Sequence, residues 1–309
     1  MHAEPFVPGH GLLVVNKPGG ITSREVVDRA QRWFLGQRIG HAGTLDPLAT
    51  GVMVLALGKA TRLIEYVQEM EKTYWAVLRL GAVSDTDDAQ GAISVVNVSQ
   101  SPGADQVADV VRRFVGWIEQ VPPACSAVHV EGERAYRRMR RGQAIALPPR
   151  RVRIFRIEIL QYRFPWLEVV VDCGKGTYIR ALARDLGQAL GCGALVQKLE
   201  RRRVGPFCIE EALSLEADLD QARAALRSPL EALAGLPQVV VPSQEMARLS
   251  RGQAVPGVAS PVSCPAGRCA VLAPGSATLV IAHWDASRNR LLPAKVFEGL
   301  LGGFVPEAR

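Results

Sequence analysis

Gly40 to Gly51 reads GHAGTLDPLATG and runs straight into the apolar hexapeptide Val52-Met53-Val54-Leu55-Ala56-Leu57. The stretch holds one carboxylate, Asp46, locked against Pro47 and bracketed by glycines. Glycine permits backbone angles and close approaches that a side chain would block. Proline fixes its own φ and drives the residue before it toward an extended conformation. The hexapeptide reads as a buried strand or the start of a buried helix, because periodicity does not separate the two in so short a run. A carboxylate in a rigid loop beside a core element is a common way to build a reactive site. Asp-Pro is equally a turn signal in which Asp46 only caps the backbone. On spacing alone both readings stand.

Around that stretch the chain is ordinary in composition. At 309 residues, with 48% hydrophobic and 22% charged residues, it suits a soluble protein of one large domain or a large and a small one. Lysine and arginine number 37 against 30 acidic residues, a net +7 that permits a polyanionic partner without proving one. No apolar run approaches the roughly 18 residues of a membrane span. Met1 to Gly20 lacks the charged start and long apolar core of a signal peptide, so a cytoplasmic location is expected. Six scattered cysteines form no CxxC and have no histidine spaced to complete a zinc site, so they are expected to be reduced small hydrophobes.

Gly11 to Lys17 reads as a strand stopped by Pro18, and Thr22 with Glu25 makes a capping box. The helix it opens should bury Val26, Val27, Ala30 and Phe34 and stop near Gly36. Thr61 to Met70 reads as a helix, and Lys72 to Ala82 alternates as a strand with Tyr74, Ala76, Leu78 and Leu80 on one face. Asp85 to Gly91 invites a calcium-loop reading, which Ala89, Gln90 and Val96 defeat at the positions that need a ligand, a glycine and a glutamate. Ala104 to Gln120 reads as one helix with an apolar stripe from Val107 to Ile118. Arg151 to Cys173 should give two strands broken near Pro165. Two glycines then separate strand from helix at residues 173–180, and Arg180 points away from the stripe of Ile179, Leu182, Ala183 and Leu186. A cation at a helix start opposes the dipole, so Arg180 needs a carboxylate partner. Arg134, Arg137, Arg138, Arg140, Arg141, Arg150, Arg151 and Arg153 face only Glu131 and Glu133, and make candidate phosphate contacts. Residues 229–242 read as a linker, and strand-like runs follow at 269–273, 278–284 and 291–297.

GHAGTLDPLATG, Asn16-Lys17-Pro18, Tyr74 after Lys72-Thr73, QVPPACSAVHVEGERAYRRMRRGQ from Gln120, CGKGTYIR at 173–180 and LERRRVGPF at 199–207 together resemble the TruB family of tRNA pseudouridine synthases. The resemblance covers about residues 11–212 and departs at His129, where the family usually carries lysine, and at Glu200 and Arg202. It implies an α+β fold: a bent, mostly antiparallel central sheet flanked by helices over residues 1–228, a linker at 229–242, and a small β-rich PUA-like RNA-binding domain at 243–309. It implies that Asp46 is the indispensable catalytic residue, held ionised by a bidentate pair with Arg180 that depresses its pKa. Tyr74 would pack on the target base and move a proton, with Tyr178 and Leu199 as the remaining walls and His41 stacking where the base departs. Lys17, Lys175, Arg137, Arg138 and Arg141 would contact the RNA.

The activity so implied is isomerisation of uridine 55 in the T loop of tRNA by a stand-alone, monomeric enzyme. Breaking and re-forming the base–sugar bond involves no net redox change, so neither cofactor nor metal is expected. Two rivals are an RNA-folding factor whose chemistry is secondary and a synthase for another RNA. A plain glycosidase is disfavoured because no second carboxylate lies in a comparable motif.

Overall fold

The computed structural model describes residues 10–123, 125, 129–130, 133–134, 147–257 and 267–302. The apolar hexapeptide resolves as a strand: Thr50–Leu57 pairs antiparallel with Gly11–Lys17, Val14 opposite Val54. Both faces of this pair are covered. Leu13, Val15, Met53 and Leu55 pack under the helix Ser23–Ala30, which opens with the expected capping box of Thr22 and Glu25. Leu12, Val14, Val52 and Val54 face the other way into a second core. Burial on both faces explains why the two strands read as unbroken apolar runs.

The central sheet continues from this pair in the order Leu213–Ser214, Gly11–Lys17, Thr50–Leu57, Ala194–Val204, Lys72–Leu80, Trp166–Cys173, Arg150–Arg163 and Gly116–Gln120. Neighbours on this path are antiparallel except at two short parallel pairings, Leu213–Ser214 with the first strand and Ala194–Val204 with Thr50–Leu57. Register shifts at Ile159/Gln161 and Val196/Lys198 bend it. In the middle strands only one face is covered. Tyr74, Ala76, Leu78, Leu167, Val169 and Val171 pack against the helices Ala104–Arg113 and Ile179–Ala189. The intervening residues are half-buried or exposed, which gives Lys72–Leu80 its clean alternation.

The structure departs from the sequence reading in four elements. The first helix, expected to stop near Gly36, ends at Ala30 and continues only as tighter turns, Arg32 N to Arg29 O and Trp33 N to Ala30 O, that still bury Phe34. The helix expected over Ala104 to Gln120 ends at Arg113; Gly116 turns at φ +109°, and Gly116–Gln120 is an edge strand paired with Arg150–Ile154. The expected Thr61 to Met70 helix starts earlier, as a 3-10 turn over Gly58–Leu63 that becomes α-helical at Ile64–Glu69. The stretch read as a linker is structured: Pro229–Leu233 is a 3-10 helix burying Ala232 and Leu233, and Gln238–Val240 is a strand of the C-terminal sheet.

That second sheet, ordered Gln238–Val240, Arg268–Leu272, Leu279–Asp285, Arg290–Phe297 and Val255–Pro256, forms a β half-barrel beside the helix Ser243–Ser250. It shares a continuous core with the first domain, Phe297, Leu300 and Leu301 joining Leu63 and Val67. Polar contacts reinforce the seam: Lys59 Nζ donates to the Glu298 carbonyl at 2.9 Å and Lys295 pairs with Glu65 at 2.5 Å. No described helix is long and apolar enough to cross a membrane.

Candidate active site

The loop from Ala42 to Ala49 is tied down at nearly every turn. The Ser23 hydroxyl, buried at the start of its helix, accepts from Leu45 N at 2.8 Å and donates to Leu45 O at 2.9 Å. Lys17 Nζ donates to the carbonyls of Ala49 at 2.7 Å, Pro18 at 2.9 Å and Pro47 at 3.3 Å. Gly20 N donates to the Pro47 carbonyl as well. From the other side Arg201 donates Nε to Val52 O at 2.7 Å and Nη2 to Gly43 O at 3.1 Å. Gly51 lies at φ +102°, and a Cβ there would collide with the Arg201 backbone. So the glycines of this motif serve close approach, and its carbonyls are satisfied by buried cations.

This scaffold presents Asp46 to a cavity of about 640 Å³, lined also by Lys72, Tyr74, Tyr178, Leu199 and Arg201. The Asp46 side chain is 31% exposed, and Arg180 Nη2 donates to its Oδ1 at 2.9 Å. Nη2 also donates to the Cys125 carbonyl at 3.0 Å, while Nη1 donates to the Thr86 carbonyl at 3.0 Å and lies 3.4 Å from Asp88 Oδ2. Asp88 is buried, and its Oδ1 accepts from Thr86 Oγ1 at 2.7 Å and Gln90 N at 3.0 Å.

This geometry corrects three expectations. Arg180 is buried rather than directed away from its helix's apolar stripe, because two carboxylates from distant loops compensate its charge. Its pair with Asp46 has one prong: Nη2 is shared with the Cys125 carbonyl, Nη1 is turned to Thr86 and Asp88, and Nε is buried with no hydrogen bond among the described residues. The Asp46 carboxyl is pushed above the ordinary carboxylate value rather than below it. Burial is the leading cause, Arg180 opposes it, and the negative charge of Asp88 adds to it.

Tyr74 is buried on the sheet with Arg201 directly across from it in register, and burial raises its hydroxyl pKa. Tyr178 is held by Gln120, which accepts from its N–H at 2.9 Å and donates to its carbonyl at 3.1 Å. Lys175 stands at the rim, exposed and paired with Glu69 at 2.6 Å. His41 closes the short strand Ile39–His41 beside Thr50–Leu57, outside the cavity lining. Lys17, expected to contact phosphate, is fully buried and bound to carbonyls; burial brings its pKa down to about 8. Arg137, Arg138 and Arg141 lie outside the described residues, as does the side chain of His129.

Asp88, Arg201 and Lys72 were not singled out by the sequence reading. Lys72 Nζ donates to the carbonyls of Gln68 and Met70 at 2.5 Å, and burial lowers its pKa to about 8. Arg201 could have been found, since it shares a strand face with Leu199 at a spacing of two. Nothing in the acidic turn distinguishes Asp88 from Asp85 and Asp87.

Residues 31–179 match the family model for the TruB family pseudouridylate synthase N-terminal domain, and residues 180–246 match that for the tRNA pseudouridylate synthase B C-terminal domain. A protein of Nocardia farcinica named tRNA pseudouridine synthase B is 41% identical over 278 residues, covering 89% of this chain and 90% of its own. One of the same name from Corynebacterium diphtheriae is 40% identical over 250 residues, covering 79% and 83%. Among solved structures, a chain in the crystal structure of a Cbf5-Nop10-Gar1 complex superposes with a TM-score of 0.72 at 26% identity, over 94% of this chain and 85% of that one. A chain of the archaeal box H/ACA sRNP Nop10-Cbf5 complex gives 0.67 at 24%, over 94% and 86%, and so shares the fold.

Proposed function

The chain belongs to the TruB family of pseudouridine synthases and acts on tRNA, and we propose that its target is uridine 55 of the T loop, with Asp46 as the catalytic carboxylate. The observation that carries the assignment of Asp46 is that it reaches an aromatic- and leucine-walled cavity while held by Arg180 through one oxygen only. The reaction breaks the C1′–N1 bond, turns the uracil and joins C1′ to C5; C5 loses a proton and N1 gains one. Atoms balance with no hydrolysis and no change of oxidation state. An ionised carboxylate in a partly dry pocket can act on the sugar or the base for this purpose.

Arg180 orients that carboxylate, and Asp88 orients Arg180. Tyr74 is the floor for the uracil; with its pKa raised by burial it enters the reaction as a hydroxyl and not as a phenolate. Leu199 and Tyr178 complete the walls. The target base must leave the RNA stack to reach Asp46, at a cost of a few kcal/mol. The C-terminal half-barrel is read as a PUA-like RNA-binding unit, held rigidly to the site by the shared core. Action without a protein partner is part of the reading, and is tested by assaying the purified chain alone on tRNA.

The test is a pseudouridine assay on an unmodified tRNA transcript, with wild type and Asp46→Asn in parallel. Conversion of one T-loop uridine by the wild type and none by the variant is expected. Tight tRNA binding without conversion by the wild type would instead indicate a folding factor.

A further inference from the structure

The edge strand Gly116–Gln120 carries Trp117, which is 57% exposed. In register opposite it is Arg153, and two residues back along that strand is Arg151. Both guanidinium groups lie over the indole, Arg151 at 4.8 Å and Arg153 at 5.7 Å from a ring centroid, and Arg153 is also 4.9 Å from Phe155. Neither arginine has a salt bridge among the described residues, although Glu119 faces Arg151 in register. Stacking holds a guanidinium by its flat face and leaves its in-plane N–H donors free, so the fork is ordered before anything binds. Two such forks, carried two residues apart on one face of a strand and gathered over one indole, suit phosphates of one nucleic-acid strand.

The patch adjoins the site. Arg150, the next residue along, lines the cavity; Gln120, at the end of the Trp117 strand, holds Tyr178; and Gly174 N, at the cavity rim, donates to the Arg153 carbonyl at 2.8 Å. We propose that Trp117, Arg151 and Arg153 form a phosphate clamp for the substrate RNA strand where it passes beyond the cavity rim. This rests on the tRNA reading above.

The test measures tRNA affinity of the full chain from 50 to 200 mM salt for wild type, Arg151→Ser/Arg153→Ser, and Arg24→Ser/Arg32→Ser, which removes two exposed arginines from the first helix region. The clamp variant should bind about 10-fold more weakly at low salt, with the slope of log K against log salt reduced by about 1 to 2. Its single-turnover rate at saturating tRNA should match wild type, and Trp117→Leu should weaken binding about 3-fold by releasing the stack. The proposal is overturned if the clamp variant binds like wild type or like the Arg24/Arg32 control, or if its saturated rate falls at unchanged affinity. Normal conversion by the wild type alongside any of these outcomes rejects the clamp alone; a wild type that converts no tRNA rejects the underlying reading.

Discussion

Two acidic loops reach the same guanidinium and are finished differently. The Asp85–Gly91 turn gives Asp88 three partners, Thr86, Gln90 and Arg180, and closes it off from solvent. The Ala42–Ala49 loop reverses the arrangement: its backbone is pinned by Ser23, Lys17 and Arg201, while its carboxylate keeps a single hydrogen-bonded contact and faces a cavity. A satisfied buried carboxylate supports structure. One held by a rigid frame yet left with unused lone pairs has capacity for chemistry. The contrast separates the residue that reacts from the one that positions.

The contrast breaks most visibly at Asp46. Asp46→Asn should lower turnover by at least about 10⁴-fold and leave tRNA affinity within a few-fold, as measured by single-turnover conversion and by binding. The same substitution should raise the melting temperature near pH 7. Since folding raises the Asp46 pKa, between the ordinary and the raised value the unfolded chain holds fewer protons at this site than the folded one, and stability falls as pH rises through that window. A neutral amide removes that cost, so a lower melting temperature would count against the strained-carboxylate account.

Next in size is Arg180→Lys. An ammonium reaches one carboxylate, not two carboxylates and two carbonyls, so one acid is left unpaired at a cost of about 3 kcal/mol. Turnover should fall by about 100-fold, read from kcat with tRNA saturating.

How much of this was legible in the sequence follows from where the partners come from. Asp46, Tyr74, Tyr178, Arg180 and Leu199 could be named because each stands in a motif stretch, at a glycine- or proline-marked end or on an alternating face. The buried state of Lys17 could not be, because all its partners are backbone carbonyls and carry no side-chain signature. The end of the helix at Arg113 was hidden by coincidence: Phe114 and Ile118 continue the helical stripe, and they also fit the start of the next strand once Gly116 turns the chain. The 229–242 stretch looked like a linker because proline and alanine mask a 3-10 turn and a strand whose core partners lie thirty residues or more away.

Asp88→Asn probes the supporting carboxylate. Losing one negative charge near Asp46 removes a contribution that raises its pKa, so the acid limb of the pH–rate profile should move to lower pH while kcat falls about 10-fold. An unmoved limb would sever the proposed coupling. Smallest in its effect on activity is Lys17→Met, which orphans loop carbonyls and should cost about 1–3 kcal/mol of stability by denaturant unfolding. Its tRNA affinity should match wild type; a weakened, less salt-dependent affinity would restore Lys17 to the phosphate contacts.

The measurement that bears most directly on the distinction is a single-turnover comparison of wild type, Asp46→Asn and Asp88→Asn on one unmodified tRNA transcript. The account predicts no pseudouridine from Asp46→Asn at any time, and complete but slower conversion by Asp88→Asn. Conversion by Asp46→Asn, or silence from a folded, tRNA-bound Asp88→Asn, would contradict it.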